Sequence, residues 1–275
     1  MMREMTTREV QLVSLDILKD VHKFCVKNNI KYSLSGGTLL GAIRHNGFIP
    51  WDDDLDIQLA YPDYEYLINN FQSEKGYRLF SREARNGQNV ELRIARICDM
   101  EKTYVDQGAH PWTNEKIGIW IDVIPVHGAP DNIKEMRRHY RRTLKYARLS
   151  NVVREKNTSW NEVRKYKSTK KKLKFLAKKI VGLFVCDDAT NKYIAELKKY
   201  DYTTSNYFYA GPQNGMGEWQ PKKNMESYEL HQFEDDEFYV MSGYDDNLKG
   251  LFGNYMQLPP VEQRVTHNFY KYYWK

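Results

Sequence analysis

The stretch from Ser35 to Ile57 constrains this chain more than any other. Ser35-Gly36-Gly37-Thr38-Leu39-Leu40-Gly41 runs through Arg44-His45-Asn46-Gly47-Phe48-Ile49-Pro50-Trp51 into Asp52-Asp53-Asp54-Leu55-Asp56-Ile57. From Asp54 to Leu59 the residues alternate polar and apolar, the period of a half-buried strand. Residues two apart on a strand share a face. Asp54 and Asp56 are therefore predicted to point one way, and Leu55 and Ile57 into a core. Two carboxylates about 4 Å apart repel by roughly 4 kcal/mol at an effective dielectric of 20, which a folded chain tolerates when a cation lies between them. Hard oxygen ligands beside substrate phosphates suit Mg²⁺ or Mn²⁺. The competing reading is a solvated acidic turn after Pro50.

Upstream, Lys31 to Leu34 is predicted to be a short strand and Thr38 to His45 a short helix, with Gly36-Gly37 between them. Glycine permits a tight turn and close backbone approach to a ligand, and a helix start offers unpaired N–H groups to phosphate. Gly-Gly alone is commonly a plain turn; Gly-Gly-Thr followed by an Asp-x-Asp strand is a stronger sign of phosphoryl chemistry. A third acid is expected on a neighbouring strand. Ile117 to Val126 is a β-rich apolar run with Asp122 in its middle, and a charge there is costly to bury unless paired or metal-bound. Asp122 is thus a candidate ligand or base, with a structural salt bridge to an arginine as the alternative.

These residues resemble the LicD family, a branch of the nucleotidyltransferase-fold superfamily that also includes fukutin-related proteins. The superfamily's Gly-Gly turn, Asp-x-Asp strand and later acid match Gly36-Gly37, Asp54 with Asp56, and Asp122. The narrower LicD pattern is similar to Gly36 through Asp56, to Ile121-Asp122-Val123-Ile124-Pro125, and to the ending from Tyr244-Asp245 through Tyr255-Met256-Gln257-Leu258-Pro259-Pro260 to Arg264 and His267. Residues from about 130 to 240 carry no matching motif. The resemblance implies an α/β (α+β) fold with a nucleotidyltransferase-like mixed-sheet core and a mainly helical C-terminal part. It implies Mg²⁺- or Mn²⁺-dependent transfer of a substituted phosphate from a CDP-linked donor to a hydroxyl of a cell-surface glycan or teichoic-acid-type precursor, with CMP released. Phosphocholine from CDP-choline is the best-known case, and ribitol or glycerol phosphate an alternative. Asp54, Asp56 and Asp122 would be catalytic and hold metal. Gly36, Gly37 and Thr38 would bind phosphate, and Arg44 and His45 would contact donor or acceptor or else brace the loop. Transfer of the nucleotide itself, and an inactive nucleotide- or glycan-binding scaffold, are the other readings.

The chain has 275 residues, enough for a real core, with 42 Lys+Arg against 36 Asp+Glu and 21 Tyr. Basic residues cluster between Lys134 and Lys199. No RNA-binding motif accompanies them, so nucleic acid is not expected as a partner. Cys25, Cys98 and Cys186 are far apart and lack zinc-ligand spacing, which suits reduced thiols. Met1 to Thr7 lacks the apolar core of a signal peptide, and no run approaches the roughly 20 apolar residues of a membrane span. A cytoplasmic location is expected.

The remaining periodicities sketch the frame. Arg8 to Asn28 is predicted to be an amphipathic helix burying Val10, Val13, Ile17, Leu18, Val21, Phe24 and Cys25, with Leu12 and Leu15 off the stripe. Tyr64 to Phe71 and Ile133 to Asn151 are predicted helices. Val90 to Ile97 alternates as a strand, and either Arg93 or Arg96 on it could reach a phosphate or form a plain salt bridge. A catalytic core over residues 1–150 and a helical region over 151–275 are expected. Trp51, Trp112, Trp120 and Trp219 are available for a choline cage, though tryptophans pack cores as readily. The segment from Tyr166 to Phe184 mixes seven lysines with Leu173, Phe175, Leu176, Ile180, Leu183 and Phe184. Such a helix either lies on an anionic bilayer, where a lipid-linked glycan acceptor would be met, or packs its apolar face on the core and shows its lysines to water.

Overall fold

The computed structural model describes residues 2–86, 90, 92–107, 112–156, 168–184, 188–266 and 270–275. Glu91, Tyr166, Lys167, Cys186 and His267, which figured in the expectations above, lie outside the described residues. After a short strand β1 (Arg3–Glu4), helix α1 (Thr7–Lys27) starts at a reciprocal cap. The Thr6 hydroxyl accepts from the Glu9 N–H, and the Glu9 carboxylate accepts from the Thr6 N–H at 2.9 Å, satisfying two amides that helix geometry leaves unpaired. The expected stripe is buried except Phe24, which is half-buried against Phe71. Leu15 is buried as well, while Leu12 faces out.

The chain continues through β2 (Ser33–Leu34), α2 (Gly36–His45), β3 (Asp56–Ala60), α3 (Tyr61–Asn70), β4 (Arg78–Phe80), β5 (Ala95–Cys98), β6 (Thr103–Asp106) and β7 (Trp120–Ala129). Helices α4 (Ile133–Lys156), α5 (Thr169–Leu183) and α6 (Ala189–Leu197) follow, then β8 (Tyr207–Tyr209), β9 (Trp219–Pro221), the hairpin β10 (Tyr228–Phe233) and β11 (Asp236–Met241), α7 (Tyr244–Phe252) and β12 (Lys271–Trp274). Among the described residues seven strands form one mixed sheet, with the path β2-β3-β7-β5-β4. β3 and β7 run parallel, and the other neighbours are antiparallel. The long β7 pairs with β5 through its first half and with β8 through its last residues, and β9 adds outside β8. A second sheet, β1-β12-β6, joins the two ends of the chain.

The mixed α/β core is as expected. Three boundaries differ. Asp54 lies in the extended segment before β3 rather than on it, helix α2 already begins at Gly36, and the strand expected from Val90 is regular only from Ala95. The helical addition is α4, α5 and α6, and α4 runs through residue 150. Beyond residue 200 the chain returns strands to both sheets: β8 pairs with His127 to Ala129, where β7 outruns β5 and its backbone groups need partners, and β12 pairs with β1 and β6.

The main core lies between the sheet and α1, α2 and α3, and includes Ile17, Leu18, Leu34, Leu55, Ile57, Tyr64, Ile97, Ile121 and Val123. A smaller one joins Met136 and Ala147 of α4 to Tyr193, Ile194 and Leu197 of α6. Cys25 and Cys98 are buried free thiols.

Candidate active site

Register builds the site. On the parallel pair β3–β7, Asp56 sits opposite Asp122, and on β7–β5 Asp122 sits opposite Arg96. Directly opposed residues share a face, so two acids and one cation form a row across three adjacent strands. The Arg96 Nε donates to Asp122 Oδ1 at 2.7 Å. The Arg96 guanidinium also lies over the rings of Trp120 and Trp112, 4.4 and 5.1 Å from their centroids. This is the arginine salt bridge left open for Asp122 above. Burial raises the pKa of Asp122, and Arg96 opposes that rise.

The segment before β3 brings up further acids. The Gln11 amide on α1 donates to the carbonyls of Ile49 and Asp52, at 3.2 and 2.8 Å. Glu234 accepts from the Phe48 N–H at 3.1 Å and is gripped by Arg8. Gly41 has no room for a side chain, since a Cβ there would lie 2.5 Å from the Gly47 carbonyl oxygen. With the loop so fixed, Asp52 and Asp54 meet through a carboxyl–carboxyl hydrogen bond. Burial first, and then the charge and hydrogen bond of Asp54, push the Asp52 pKa up to about 8. Asp56 is driven well above the carboxylate range by burial and by the charges of Asp54, Asp122 and Asp52. Asp53 is buried, and its charge and that of Asp54 act on Tyr272 of β12.

The glycine turn closes over these acids. Gly36 has φ +52, and its added Cβ would stand 3.6 Å from Asp56 Oδ2. At Gly37 the added Cβ would stand 2.6 Å from Asp52 Oδ2. The first turn of α2 therefore rests on the carboxylates with no side chain between. Ser35 does not cap this helix; its hydroxyl donates to Gln58 instead. Thr38 is buried, and its hydroxyl accepts from the Asp56 N–H at 2.9 Å. Thr38 thus ties α2 to β3 and holds the two halves of the motif together.

Arg44 and His45 sit at the far end of α2. Arg44 donates to the Tyr255 carbonyl at 2.7 Å, and His45 lies edge-on to Trp51 at 6.3 Å. Arg264 lies over the other partner of this group, 5.4 Å from the Trp51 ring centroid. The C-terminal motif thereby folds back onto the loop that carries the acids, with Tyr255 also donating to Asp245 at 2.8 Å. Arg93 is not in this neighbourhood. It donates to the Ala147 carbonyl at 3.3 Å and lies over Tyr193, so of the pair Arg96 is the one that joins the acids, through its salt bridge to Asp122. Asp52 and Arg264 were also missing from the expected site. Asp52 had a signal in its place in the acid run, whereas Arg264 had only its place in the C-terminal motif. A choline cage of tryptophans is not assembled: Trp112 and Trp120 flank Arg96, and Trp219 stacks on Tyr207.

Among the described residues no three His, Cys, Asp or Glu side chains make a ready-formed cage. Asp52, Asp54 and Asp56 lie close enough that their negative charges disfavour ionisation at Asp52 and Asp56, a repulsion that a divalent cation among hard carboxylate oxygens would relieve. This fits Mg²⁺, which binds through one or two carboxylates plus substrate phosphates and keeps water besides. Asp122, held by Arg96, stands at the edge of that group.

A mixed sheet with acids in register on adjacent strands, faced by a Gly-Gly helix start, is the arrangement expected of a nucleotidyltransferase-like fold. Comparison with known proteins agrees. The family model for LicD/FKTN/FKRP, nucleotidyltransferase domain, matches residues 29–131. The chain is 30% identical to lipopolysaccharide cholinephosphotransferase LicD of Haemophilus influenzae (strain ATCC 51907 / DSM 11121 / KW20 / Rd), over 99% of each chain. It is also 32% identical, over 48% of its own length and 55% of the relative's, to an uncharacterized protein of Rickettsia prowazekii (strain Madrid E). The chain belongs to the LicD family.

Proposed function

We propose that the chain transfers phosphocholine from CDP-choline to a hydroxyl of a cell-surface glycan precursor, in the cytoplasm, with Mg²⁺ bound and CMP released. The observation that carries this reading is the row Asp56–Asp122–Arg96 beneath the glycine turn. Choline as the substituent is supported by the name of the Haemophilus relative, which the chain matches along nearly its whole length.

Asp54 and Asp56 would hold the metal, with Asp52 as a further ligand once its proton leaves. Those carboxylates would hold a divalent ion whose chemistry here would be to neutralise charge on the donor's phosphates. The amide groups of Gly36 and Gly37 approach the phosphate oxygens with no side chain in the way, and the positive end of α2 favours the negative charge there. Arg96, fixed by two tryptophan rings and by Asp122, holds a positive charge at the same row. Asp122 takes the proton of the acceptor hydroxyl. Its raised pKa makes it a stronger base than a solvated aspartate, while Arg96 favours its ionised form. Arg44, His45 and Arg264 line the loop's outer side and brace it.

The test is a screen of purified protein with Mg²⁺ against CDP-choline, CDP-ribitol, CDP-glycerol and CDP-ethanolamine, reading CMP. Release of CMP from CDP-choline that depends on acceptor and disappears in Asp56→Asn is expected. Turnover with a CDP-polyol instead would move the donor assignment. Pyrophosphate from CTP would indicate nucleotidyl transfer, and turnover by Asp56→Asn equal to the parent's would remove the metal role from Asp56.

A further inference from the structure

Helix α5 packs along α4 by an unexpected side. The residues it turns inward are Phe175, 4% exposed, and Gly182, two turns further on. Its larger apolar stripe is turned out. Leu173 is 62% exposed, Leu176 40%, Ile180 52%, Leu183 79% and Phe184 86%. The first four recur at intervals of three and four, so they lie on one face of an α-helix, and Phe184 follows directly after its last residue. By the same geometry Lys172 flanks the stripe on one side, and Lys170 and Lys174 on the other; all three are exposed.

An apolar stripe of this size, left in water beside a helix that packs by one aromatic ring, calls for an occupant. The lysines select it. A protein groove would have to bury or neutralise a lysine border on both sides of the stripe. A bilayer with anionic headgroups takes the apolar side chains into the acyl boundary and places negative charge at the level of the lysines. No described helix is long and apolar enough to cross a membrane, and α5, with 15 residues, is suited to lying in the interface.

We propose that the outward face of α5 is a membrane-docking surface that seats the chain on an anionic bilayer, with Leu173, Leu176, Ile180, Leu183 and Phe184 inserted and Lys170, Lys172 and Lys174 against the headgroups. The inference does not depend on the donor or on the reaction, and its test uses no substrate.

The full chain is sedimented with phosphatidylcholine vesicles, with and without phosphatidylglycerol, at low and high salt. Binding is expected only to the anionic vesicles and should weaken as salt rises. The double variant Leu173→Gln/Ile180→Gln should lose at least about ten-fold in partitioning, from two large side chains no longer buried. Lys170→Glu/Lys174→Glu should lose about five-fold or more for each lysine. All four residues are exposed, so the variants should keep the parent's circular dichroism and melting temperature, which shows that a loss of binding is not a loss of fold. No sedimentation with anionic vesicles at low salt would overturn the proposal, and so would equal binding by either double variant. A dimer in solution that Leu173→Gln/Ile180→Gln dissolves, without vesicle binding by the parent, would assign the face to a second copy of the chain instead.

Discussion

Removing divalent cation and raising the pH should destabilise this protein through one carboxyl group. The Asp52 pKa is about 8 in the folded chain, against about 3.9 for an aspartate in an unfolded one. Between those values the unfolded state has released its proton and the folded state has kept it. The folded state binds more protons, so stability falls as pH rises, by about 1.4 kcal/mol per unit for a group that titrates alone. Below about pH 4 both states are protonated and the group contributes nothing; above about pH 8 the whole penalty is present. From pH 6 to pH 8 the limit is therefore about 2.7 kcal/mol. Asp52 is only partly buried, and solvent screening brings this to about 1–2 kcal/mol. For a chain of this size that is roughly 2–4 °C in melting temperature.

The assay is thermal unfolding in a chelator at pH 6 and pH 8, for the parent and for Asp52→Asn. The difference between them removes the other titrating groups. The parent should lose about 2–4 °C more than the variant across this range. Mg²⁺ should raise the parent's melting temperature more at pH 8 than at pH 6, because at the lower pH it must displace a proton. Equal pH dependence in parent and variant, or a Mg²⁺ effect that does not grow with pH, would refute the idea that a cation replaces the proton shared by Asp52 and Asp54.

Three other outcomes follow from named contacts. Arg96→Met leaves Asp122 as a buried acid without its partner, and should cost about 3–5 kcal/mol at neutral pH, read by urea unfolding, with the deficit shrinking in acid as Asp122 protonates. Gly37→Ala puts a methyl group 2.6 Å from Asp52 Oδ2; CMP release should drop at least ten-fold while far-ultraviolet dichroism is kept. Thr6→Ala removes one half of the α1 cap and should cost about 1 kcal/mol with turnover per folded molecule unchanged.

How far the site could be read from the sequence depended on whether its chemistry was local. Gly36, Gly37, Asp54 and Asp56 lie within one short stretch, and their residue types in that order already joined a phosphate turn to an acidic strand. Asp122 was visible as a charge in an apolar run, because burying it demands a partner. The partner itself was not visible. Arg93 and Arg96 are three apart on an extended chain and so face opposite ways, and alternation alone does not say which way is toward β7. That parity is set by register: β5 becomes regular at Ala95 and pairs Arg96 with Asp122. The coupling of Asp52 to Asp54 was hidden for a related reason, since it arises from a loop shaped by Gln11, Gly41 and Glu234, drawn from two distant parts of the chain.

Helix α5 shows the same limit at the level of a whole face. Its periodicity distinguishes an apolar side from a lysine side, and both a packed and a membrane-bound helix satisfy that pattern. Which side turns inward is decided by the surface that receives it. On the side of α5 that is buried lie Phe175 and Gly182, and the stripe from Leu173 to Phe184 is left facing out. A hydrophobic face is thus predictable from residue spacing, but its covering is a property of the partner, and here the described fold supplies none. The lysine border then limits what can supply it: a surface that is apolar at depth and negative at its edge, as an anionic membrane is.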